Sequence, residues 1–415
     1  MTNARNCLKF GCTVAILSSA AGAATAGGFD LPDQDAFAVA RGLAVVATAD
    51  NPSAIFYNPA GMTQLKGNNL RVGGYGIDLV PSYQAPGGGT TFHNEKPLSA
   101  IPQFYYTYTP ADFPVSFGLG VYAPDGLSVK WPQDTGFRSV GYEASLSKIT
   151  INPAIAVQLL PSLSIGAGLN LDRVDLDLQE GLSSYPNNDE FRFKGSGYDV
   201  GYNVGLLWQP LTQLSFGVAA HGETTRHLDG QTLTYINNAV PSTYRSATAD
   251  FTIPFNVEGG ISYRPTPKWN IEFDVDYTHW SDLGIVNVNQ SSSPVPGVIP
   301  QSLPLVFNWD DCFYYELGAT RYFKSGWNVS AGYLFNQNAV PNSHYLPVVA
   351  DGDKHFFSAG VGYKGDHFTF DVAYQFGYGP DRTVSGSAVS AGGQSADGTY
   401  GYISHAVAVS LGWHF

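Results

Sequence analysis

The chain has 415 residues, of which 13% are charged, with 47 Gly, 25 Tyr, 25 Phe and a formal net charge of -13. Its mean hydropathy is close to zero, and beyond the N-terminus no stretch approaches the roughly 20 continuous apolar residues of a membrane helix, which argues against a helical inner-membrane protein. The acidic balance argues against nucleic acid as a partner.

Residues 1–26 have the pattern of a secretory signal peptide. Two basic residues precede the apolar run 10–23, which is followed by the small-x-small sequence from Ala24 to Ala26. We therefore predict cleavage between Ala26 and Gly27. The mature chain would carry 19 basic against 34 acidic residues, a net charge of -15, and Cys312 would be its one cysteine, which excludes an intramolecular disulfide.

Residues 27–67 show no regular alternation and mix Ala, Val, Gly and Pro with polar residues, with a short helix possible over residues 37–46. This segment precedes the first predicted strand, so we predict that it folds back as a plug, or hatch, inside a barrel. An exposed tail is the alternative, and it would leave Ile55, Phe56 and Tyr57 in water.

Residues 68–415 alternate between apolar and polar side chains in strand-length segments. Trp269, Ile271 and Phe273 share one phase, whereas Glu272 and Asp274 occupy the other. Several unpaired carboxylates would be costly in a dry core but suit a wet lumen. The pattern predicts an all-β, transmembrane antiparallel β-barrel, whose outward face meets lipid.

Breaks in the alternation are of two kinds that take turns along the chain. Short turns fall at 109–114, 161–162, 209–212, 264–267, 323–326 and 364–366, and long polar segments at 83–99, 130–142, 181–195, 228–247, 283–310, 337–352 and 379–400. This alternation predicts about fourteen strands, with both termini at the short-turn, periplasmic side.

Two further patterns give local predictions. In the segment 163–178 the apolar residues change from odd to even positions, which predicts a β-bulge near Asp172 or Arg173. Five tryptophans lie near strand ends and are predicted to be interfacial anchors: Trp131, Trp269, Trp280, Trp327 and Trp413.

The C-terminal segment 403–415 alternates throughout and ends on Trp413 and Phe415. A strand of a soluble sandwich could also alternate, but a terminal aromatic in the apolar phase is typical of the last strand of an outer-membrane barrel. We predict a monomer in the outer membrane of a Gram-negative bacterium, surrounded by lipid and lipopolysaccharide and recognised at Trp413 and Phe415 by the barrel assembly machinery.

The sequence gives little support for the motifs that are typical of enzymes and metal-binding proteins. Gly360, Gly362 and Gly365 match G-x-G-x-x-G, but a strand and not a helix is predicted to follow. The sequence has no G-x-S-x-G, no H-E-x-x-H and no paired Cys motif. We predict no catalytic residue, cofactor or metal site, and a group formed by His221, Glu223 and His227 is only a remote alternative.

Several segments together resemble the outer-membrane long-chain fatty acid and aromatic hydrocarbon transporters (FadL/TodX-type, OmpP1). They span the mature chain in order: Gly27 to Leu31, Asn58-Pro59-Ala60, Pro124 to Leu127, Ile151 to Pro153, Pro254 to Ser281, and Tyr345 to Tyr363. The resemblance implies a fourteen-stranded barrel with an N-terminal hatch and a lateral opening in the wall, where the third strand kinks.

The resemblance also implies roles for individual residues. The kink would be Ala123, Pro124, Asp125 and Gly126, with an edge bulge that has no transport role as the alternative; Pro124 lacks an N–H for the strand ladder. Asn58, Pro59 and Ala60 would be the hatch motif, or only a capping turn. Phe29 would contact ligand, or only pack within the hatch.

The implied function is passive uptake of long-chain fatty acids or related hydrophobic compounds, without energy coupling. Fatty acid carriers of this family place basic side chains where this chain has none, over 174–191 and 281–320. The lumen is therefore predicted to favour neutral hydrocarbons or esters, unless Arg173, Arg192 or Arg321 meets a carboxylate. A diffusion porin, a barrel enzyme such as a lipase or protease, and an adhesin are the alternatives.

Overall fold

The computed structural model describes residues 27–236 and 240–415, and these form one closed antiparallel β-barrel. The first strands are β1 Gly67–Leu79, β2 Ser82–Gln84, β3 Thr91–His93, β4 Leu98–Thr109, β5 Val115–Tyr122, β6 Gly126–Lys130 and β7 Glu143–Leu160. The predicted signal peptide and Ala26 lie outside the described residues.

The middle of the chain continues with longer strands. They are β8 Leu163–Glu180, β9 Glu190–Leu211, β10 Leu214–His221, β11 Thr224–Ile236, β12 Val240–Ile253, β13 Asn256–Thr266 and β14 Trp269–Thr278. The last strands are β15 Ile285–Gln290, β16 Ser302–Val306, β17 Cys312–Tyr322, β18 Trp327–Asn336, β19 Lys354–Lys364, β20 Phe368–Val384 and β21 Gly398–His414.

These strands combine into fourteen passes of the wall, as predicted. Several passes consist of two strands in succession, for example β5 with β6 and β10 with β11, and β1 pairs with β21 to close the barrel. Asn68 and Phe415 exchange two backbone hydrogen bonds of 3.0 Å at this seam. The end with short turns is called the short-turn end below, and the opposite end is called the long-loop end.

The outward face is apolar across the membrane zone. Phe273 is 47% exposed and Val407 is 49% exposed, whereas their neighbours in the chain, Asp274 and Ala406, are buried. Exposed aromatic and aliphatic side chains in a continuous band are what a lipid-facing surface requires. The predicted strand phases are therefore confirmed for β14 and β21.

The predicted bulge near Asp172 or Arg173 is wrong. β8 pairs with β7 and β9 in unbroken register across this point, and its side chains continue to alternate, with Leu171 and Arg173 exposed and Asp172 and Val174 buried. The polarity of the two faces is exchanged while the strand geometry is unchanged. Above the membrane zone, charged residues point outward and apolar residues point into the barrel.

The N-terminal segment, residues 27–66, packs against inward-facing side chains of the wall. It contains two short α-helices, α1 Ala36–Ala40 and α2 Ala54–Tyr57, and a 3-10 helix Pro59–Gln64. Asp35 caps α1 by accepting a hydrogen bond from Phe37 N at 3.1 Å. Nearly every residue of the segment is buried, including the apolar residues Ile55, Phe56 and Tyr57 that an exposed tail would leave in water.

Three other sequence predictions differ from the structure. The predicted loop 228–247 is largely the hairpin of β11 and β12, which extends beyond the membrane zone. Trp131 and Trp280 are completely buried and are not interfacial anchors, whereas Trp269, Trp327 and Trp413 are exposed on the outward face.

In the part of the chain that the structure describes, every helix is too short to cross a bilayer.

Candidate functional site

A largely apolar cavity of about 470 Å³ lies inside the barrel towards the long-loop end. Inward-facing residues of the extended strands form its walls, and the connections after β8, β18 and β20 cover it. Its apolar lining includes Leu127, Leu146, Leu176, Leu178, Phe191, Phe193, Phe251 and Val288. Such a cavity can accept a hydrophobic molecule of small to moderate size.

Phe29 and Phe251 form the floor of this cavity, and the rings of Trp280 and Trp309 pack against Phe29 behind that floor. Phe29, from the start of the N-terminal segment, lies with its ring centroid 5.1 Å from Trp309, 5.4 Å from Phe251 and 5.7 Å from Trp280. Phe29 both lines the cavity and packs within this cluster. Either reading of Phe29 from the sequence is therefore compatible with its position.

In the part of the chain that the structure describes, the cavity is lined by two acidic residues and by His344, but by no Lys or Arg. The acidic residues are Glu143 and Glu180. Burial raises the pKa of Glu180, at the long-loop end of β8, to about 8. A protonated Glu180 can donate a hydrogen bond, but it gives no cation for a carboxylate ligand.

The three arginines considered as substitutes lie elsewhere. Arg173 is exposed on the outward face and pairs with Asp175 at 3.0 Å. Arg192 pairs with Asp177 at 2.5 Å on the same outward face. Arg321 stacks over Trp269 at 5.1 Å near the short-turn end. None of the three lines the cavity.

The third pass of the wall is interrupted at the predicted kink. Between Tyr122 and Gly126, three residues of this pass oppose two of β7, so the register shifts by one residue. Ala123, Pro124 and Asp125 belong to neither β5 nor β6. Lys148 of β7 pairs with Asp125 at 2.7 Å across the kink.

The interruption leaves a gap between the second and third passes, which we call the wall gap. β4 pairs with β5 only over Phe104–Tyr108, and its residues 98–103 have no ladder partner in the described part of β5 or β6. A hydrogen bond of 2.7 Å from Glu95 N to Lys130 O bounds the gap at the long-loop end. Leu127 of β6 borders the gap and also lines the cavity.

The N-terminal segment is bonded directly to the kink. Leu31 N donates to Pro124 O and Gly126 N donates to Phe29 O, both at 2.8 Å, and Asp30 opposes Asp125 in an antiparallel bridge. Gln34 Nε2 also donates to Ala123 O at 2.7 Å. The cavity floor at Phe29 and the kink are therefore parts of one hydrogen-bonded unit.

Asn58, Pro59 and Ala60 lie deep in the barrel against β8 and β9. The Asn58 side chain accepts from Ala60 N at 3.2 Å, as the capping alternative predicts, and donates to Leu206 O of β9 at 3.0 Å. Two inward-facing glycines allow this approach: a Cβ on Gly166 would lie 2.4 Å from Pro59 C and one on Gly205 would lie 2.2 Å from Asn58 Oδ1.

The structure separates His221 and His227, two members of the group that the sequence offered as a metal-site alternative. His221 is packed against Phe56 at a centroid distance of 5.2 Å, whereas His227 is exposed and bonds to Asp250 at 2.7 Å. A different acidic group, which the sequence did not reveal, lies on β13, β14 and β17 and is described below. Trp413 and Phe415 are exposed at the short-turn end.

Most of the cavity lining was missed from the sequence. The signal was present in the odd-to-even change of apolar residues in β8, but we interpreted it as a bulge and not as apolar side chains turned inward. Trp280 was assigned to the membrane interface from its position near a strand end. Only the pairing of each strand with its neighbours shows which side chains meet inside the barrel.

Comparison with known proteins agrees with this architecture. The model of a family described as outer membrane protein transport protein (OMPP1/FadL/TodX) matches residues 17–415. A long-chain fatty acid transport protein of Escherichia coli is 21% identical over 375 residues, which cover 80% of this chain and 82% of that protein.

Two solved structures show the same fold. A Pseudomonas aeruginosa FadL homologue superimposes with a TM-score of 0.82 at 18% identity, covering 93% of this chain and 99% of the homologue. The toluene transporter TodX of Pseudomonas putida gives a TM-score of 0.72 at 16% identity, covering 94% and 100%.

Proposed function

The chain belongs to the outer membrane protein transport protein family (OMPP1/FadL/TodX), and on that basis we propose that it takes up neutral hydrophobic compounds passively and releases them sideways through the wall gap. The chain is thus an outer-membrane barrel of a transporter family and not an enzyme. We expect it to act as a monomer, assembled by the barrel assembly machinery.

One observation carries the lateral route. Leu127 lines the apolar cavity and stands on β6, the strand that borders the wall gap. A ligand in the cavity would therefore have a short path to lipid past Leu127 and the kink. A route along the barrel axis would instead cross the polar side chains that surround the N-terminal segment, including Asn203, Ser262 and Glu272.

The physical chemistry of hydrophobic ligands favours that route. Each buried CH₂ group favours an apolar environment by about 0.8 kcal/mol, so releasing a chain of a dozen methylenes into water would cost on the order of 10 kcal/mol. Transfer from the cavity into lipid avoids this barrier. A concentration gradient then suffices, and no energy coupling is required.

The N-terminal segment would act as the hatch. Its bonds to Pro124 and Gly126 connect the floor of the cavity with the kink. A ligand that displaces Phe29 would also disturb the pairing of residues 29–31 with the kink. We propose that this displacement connects the cavity with the wall gap, while the deeper anchors around Asn58 keep the lumen closed to water.

The substrate class follows from the charges of the lining. The relatives named above include transporters of long-chain fatty acids and of toluene. In this chain the lining offers Glu143 and Glu180 and, among the described residues, no Lys or Arg. A carboxylate would be desolvated without a permanently charged Lys or Arg beside it, which is costly. We therefore propose neutral hydrocarbons or neutral esters as substrates.

Deletion of Pro124 tests the proposal. It removes the extra residue that opposes β7, so β5 and β6 can form one continuous strand that pairs with residues 98–103 of β4. We expect uptake of a radiolabelled alkane or toluene by whole cells to fall by about tenfold, equivalent to about 1.4 kcal/mol of barrier. Deletion of Gly88, in an exposed loop, is the matched control.

Barrel assembly must be monitored in both variants through heat-dependent gel mobility. Wild-type uptake by an assembled Pro124 deletion would refute lateral release. Passage of small sugars and a large ion conductance in the wild type would instead indicate a diffusion porin.

A further inference from the structure

Three carboxylates on adjacent passes meet on the inner face of the wall, at a distance from the apolar cavity. Asp274 of β14 opposes Gly260 of β13 on one side and Glu316 of β17 on the other, and Glu258 of β13 stands two residues from Gly260. Carboxylate oxygens of Glu258, Asp274 and Glu316 all lie within 4.8 Å of one another. We call these three residues the acidic triad.

Two other buried carboxylates of the inner face each have a cationic partner. Glu272 pairs with Arg41 at 3.1 Å and Asp371 pairs with Arg71 at 2.8 Å. The acidic triad takes part in no such ion pair within residues 27–236 and 240–415. Arg41, which is nearby, is engaged by Glu272, Thr320 and the carbonyl of Ala44.

The triad also has unpaired hydrogen-bonding atoms. Asp274 is completely buried and Glu316 is 3% exposed, yet Asp274 Oδ1, Glu316 Oε2 and Glu258 Oε1 have no hydrogen-bond partner in the described part of the chain. The other oxygen of Asp274 accepts from Val46 N at 2.9 Å. Two buried carboxylates and one half-buried carboxylate without a counter-charge are strongly unfavourable.

A space of suitable size adjoins the triad. A cavity of about 30 Å³, roughly the volume of one water molecule, is lined by Glu258 and Glu316 together with Asp276, Asn256 and Tyr314. His221 and apolar side chains such as Leu43 and Phe56 also line it. Apart from the amide nitrogen of Asn256 and the imidazole of His221, the ligand atoms that the lining offers are oxygens. An oxygen-rich set of this kind selects a hard cation.

We propose that Glu258, Asp274 and Glu316 bind a divalent hard cation of the Ca²⁺ class. The ion would offset two of the three negative charges of the triad and connect three passes of the wall. Because Asp274 also holds Val46 N, the ion would stiffen the anchorage of the N-terminal segment on this side of the barrel. Ca²⁺ suits the site better than Mg²⁺ because it accepts irregular sets of six to eight oxygens, water included.

Terbium luminescence tests this proposal on the mature protein in detergent. Tb³⁺ has the same preference for oxygen ligands, and Tyr314, which lines the adjoining cavity, can transfer excitation energy to it. We expect saturable luminescence that Ca²⁺ displaces, and a melting temperature that rises with Ca²⁺. The double variant Asp274→Asn/Glu316→Gln should lose at least about tenfold in Ca²⁺ affinity, or about 1.4 kcal/mol.

Two controls make the result interpretable. Asp229→Asn removes an exposed carboxylate, 81% accessible, and should leave the affinity unchanged. The double variant replaces charges with neutral isosteres, so its assembly can be verified by heat-dependent gel mobility.

Absence of saturable binding in the wild type, or equal affinity in the double variant, would overturn the proposal. So would a melting temperature that rises on acidification but not with Ca²⁺, because it would show that protons and not a cation neutralise the triad. These measurements involve no transport, so their failure is separate from failure of the proposed uptake function.

Discussion

The inner face of this barrel has two regions of opposite character. Towards the long-loop end, inward residues such as Leu146, Leu176 and Phe193 enclose the apolar cavity. Deeper in the barrel, inward residues such as Asn152, Asn203 and Glu272 are polar and contact the N-terminal segment or each other. Strand geometry is the same in both regions, and only the residue types on the two faces are exchanged.

Under the proposed function, the two regions would divide ligand binding from closure of the lumen. The apolar region encloses a cavity that can accept a hydrophobic ligand. In the polar region, ion pairs join the N-terminal segment to the wall: Arg71 joins Asp35 of the segment to Asp371 of the wall, and Arg41 joins the segment to Glu272. Phe29 to Leu31 lie at the boundary, bonded to the kink.

The largest expected effect comes from breaking the polar region at Arg71. Arg71→Ala leaves Asp35 and Asp371 buried without a cation, which typically costs about 3–5 kcal/mol. We expect the N-terminal segment to detach more often, with higher ion conductance in planar bilayers and faster proteolysis of residues 27–66. Arg173→Ala, which breaks an exposed ion pair worth about 0–1 kcal/mol, is the control, and equal behaviour of the two variants would contradict the assignment.

A disulfide that joins the N-terminal segment to the kink, at the boundary between the two regions, should have the next largest effect. Asp30 and Asp125 oppose each other in an antiparallel bridge, a spacing compatible with a disulfide. In a Cys312→Ser background, we expect oxidised Asp30→Cys/Asp125→Cys to lower uptake by about tenfold, or about 1.4 kcal/mol of barrier. Reduction should restore it.

The two single cysteine variants serve as controls for loss of the Asp125–Lys148 ion pair. Uptake by the oxidised variant at the wild-type rate would show that residues 29–31 need not leave the kink.

Much of the polar region and of the outward face was predictable from the sequence. Alternation alone placed Phe273 outside and Asp274 inside, because a strand has a period of two residues. The position of the kink was implied by the family resemblance, and the missing N–H of Pro124 agreed with it. What strand periodicity cannot supply is the depth of a residue along the barrel axis.

The sequence did not predict the apolar region because it does not give this depth. Leu176 and Leu178 face inward because β8 continues beyond the membrane, and the sequence alone does not state where the membrane ends. The acidic triad was missed for a related reason: its members lie 16 and 42 residues apart in sequence, at Glu258, Asp274 and Glu316. Their meeting depends on the register of three strands.

A change of about the same size, in substrate preference and not in uptake rate, should follow from placing one positive charge in the apolar region. Leu178→Arg places a guanidinium in the lining of the cavity, where a hydrogen bond to a charged group contributes about 1.5–3 kcal/mol. We expect the preference for oleate over a neutral alkane to rise by about tenfold, or about 1.4 kcal/mol, in competition uptake assays.

Thr225→Arg adds the same charge to an exposed position of β11. It should leave the preference unchanged, and the same shift in both variants would mean that surface charge, and not the cavity, sets specificity.

The smallest expected effect is a dependence of ligand affinity on pH. Glu180 has an ordinary pKa near 4.5 in the unfolded chain, and burial raises it to about 8 in the fold. The contribution of this group to stability is therefore present below the ordinary value and is lost as the pH rises through about 8.

A neutral ligand in the cavity removes further water from Glu180 and so favours its protonated form. Affinity for an alkane, measured by fluorescent probe displacement, should be constant below pH 7 and fall a few-fold between pH 7 and 9. Glu180→Gln should abolish that fall, whereas Asp175→Asn, on the outward face of the same strand, should preserve it. A pH profile that Glu180→Gln leaves intact would mean that this carboxyl does not sense the ligand, so the cavity would distinguish substrates by shape and apolar contact alone.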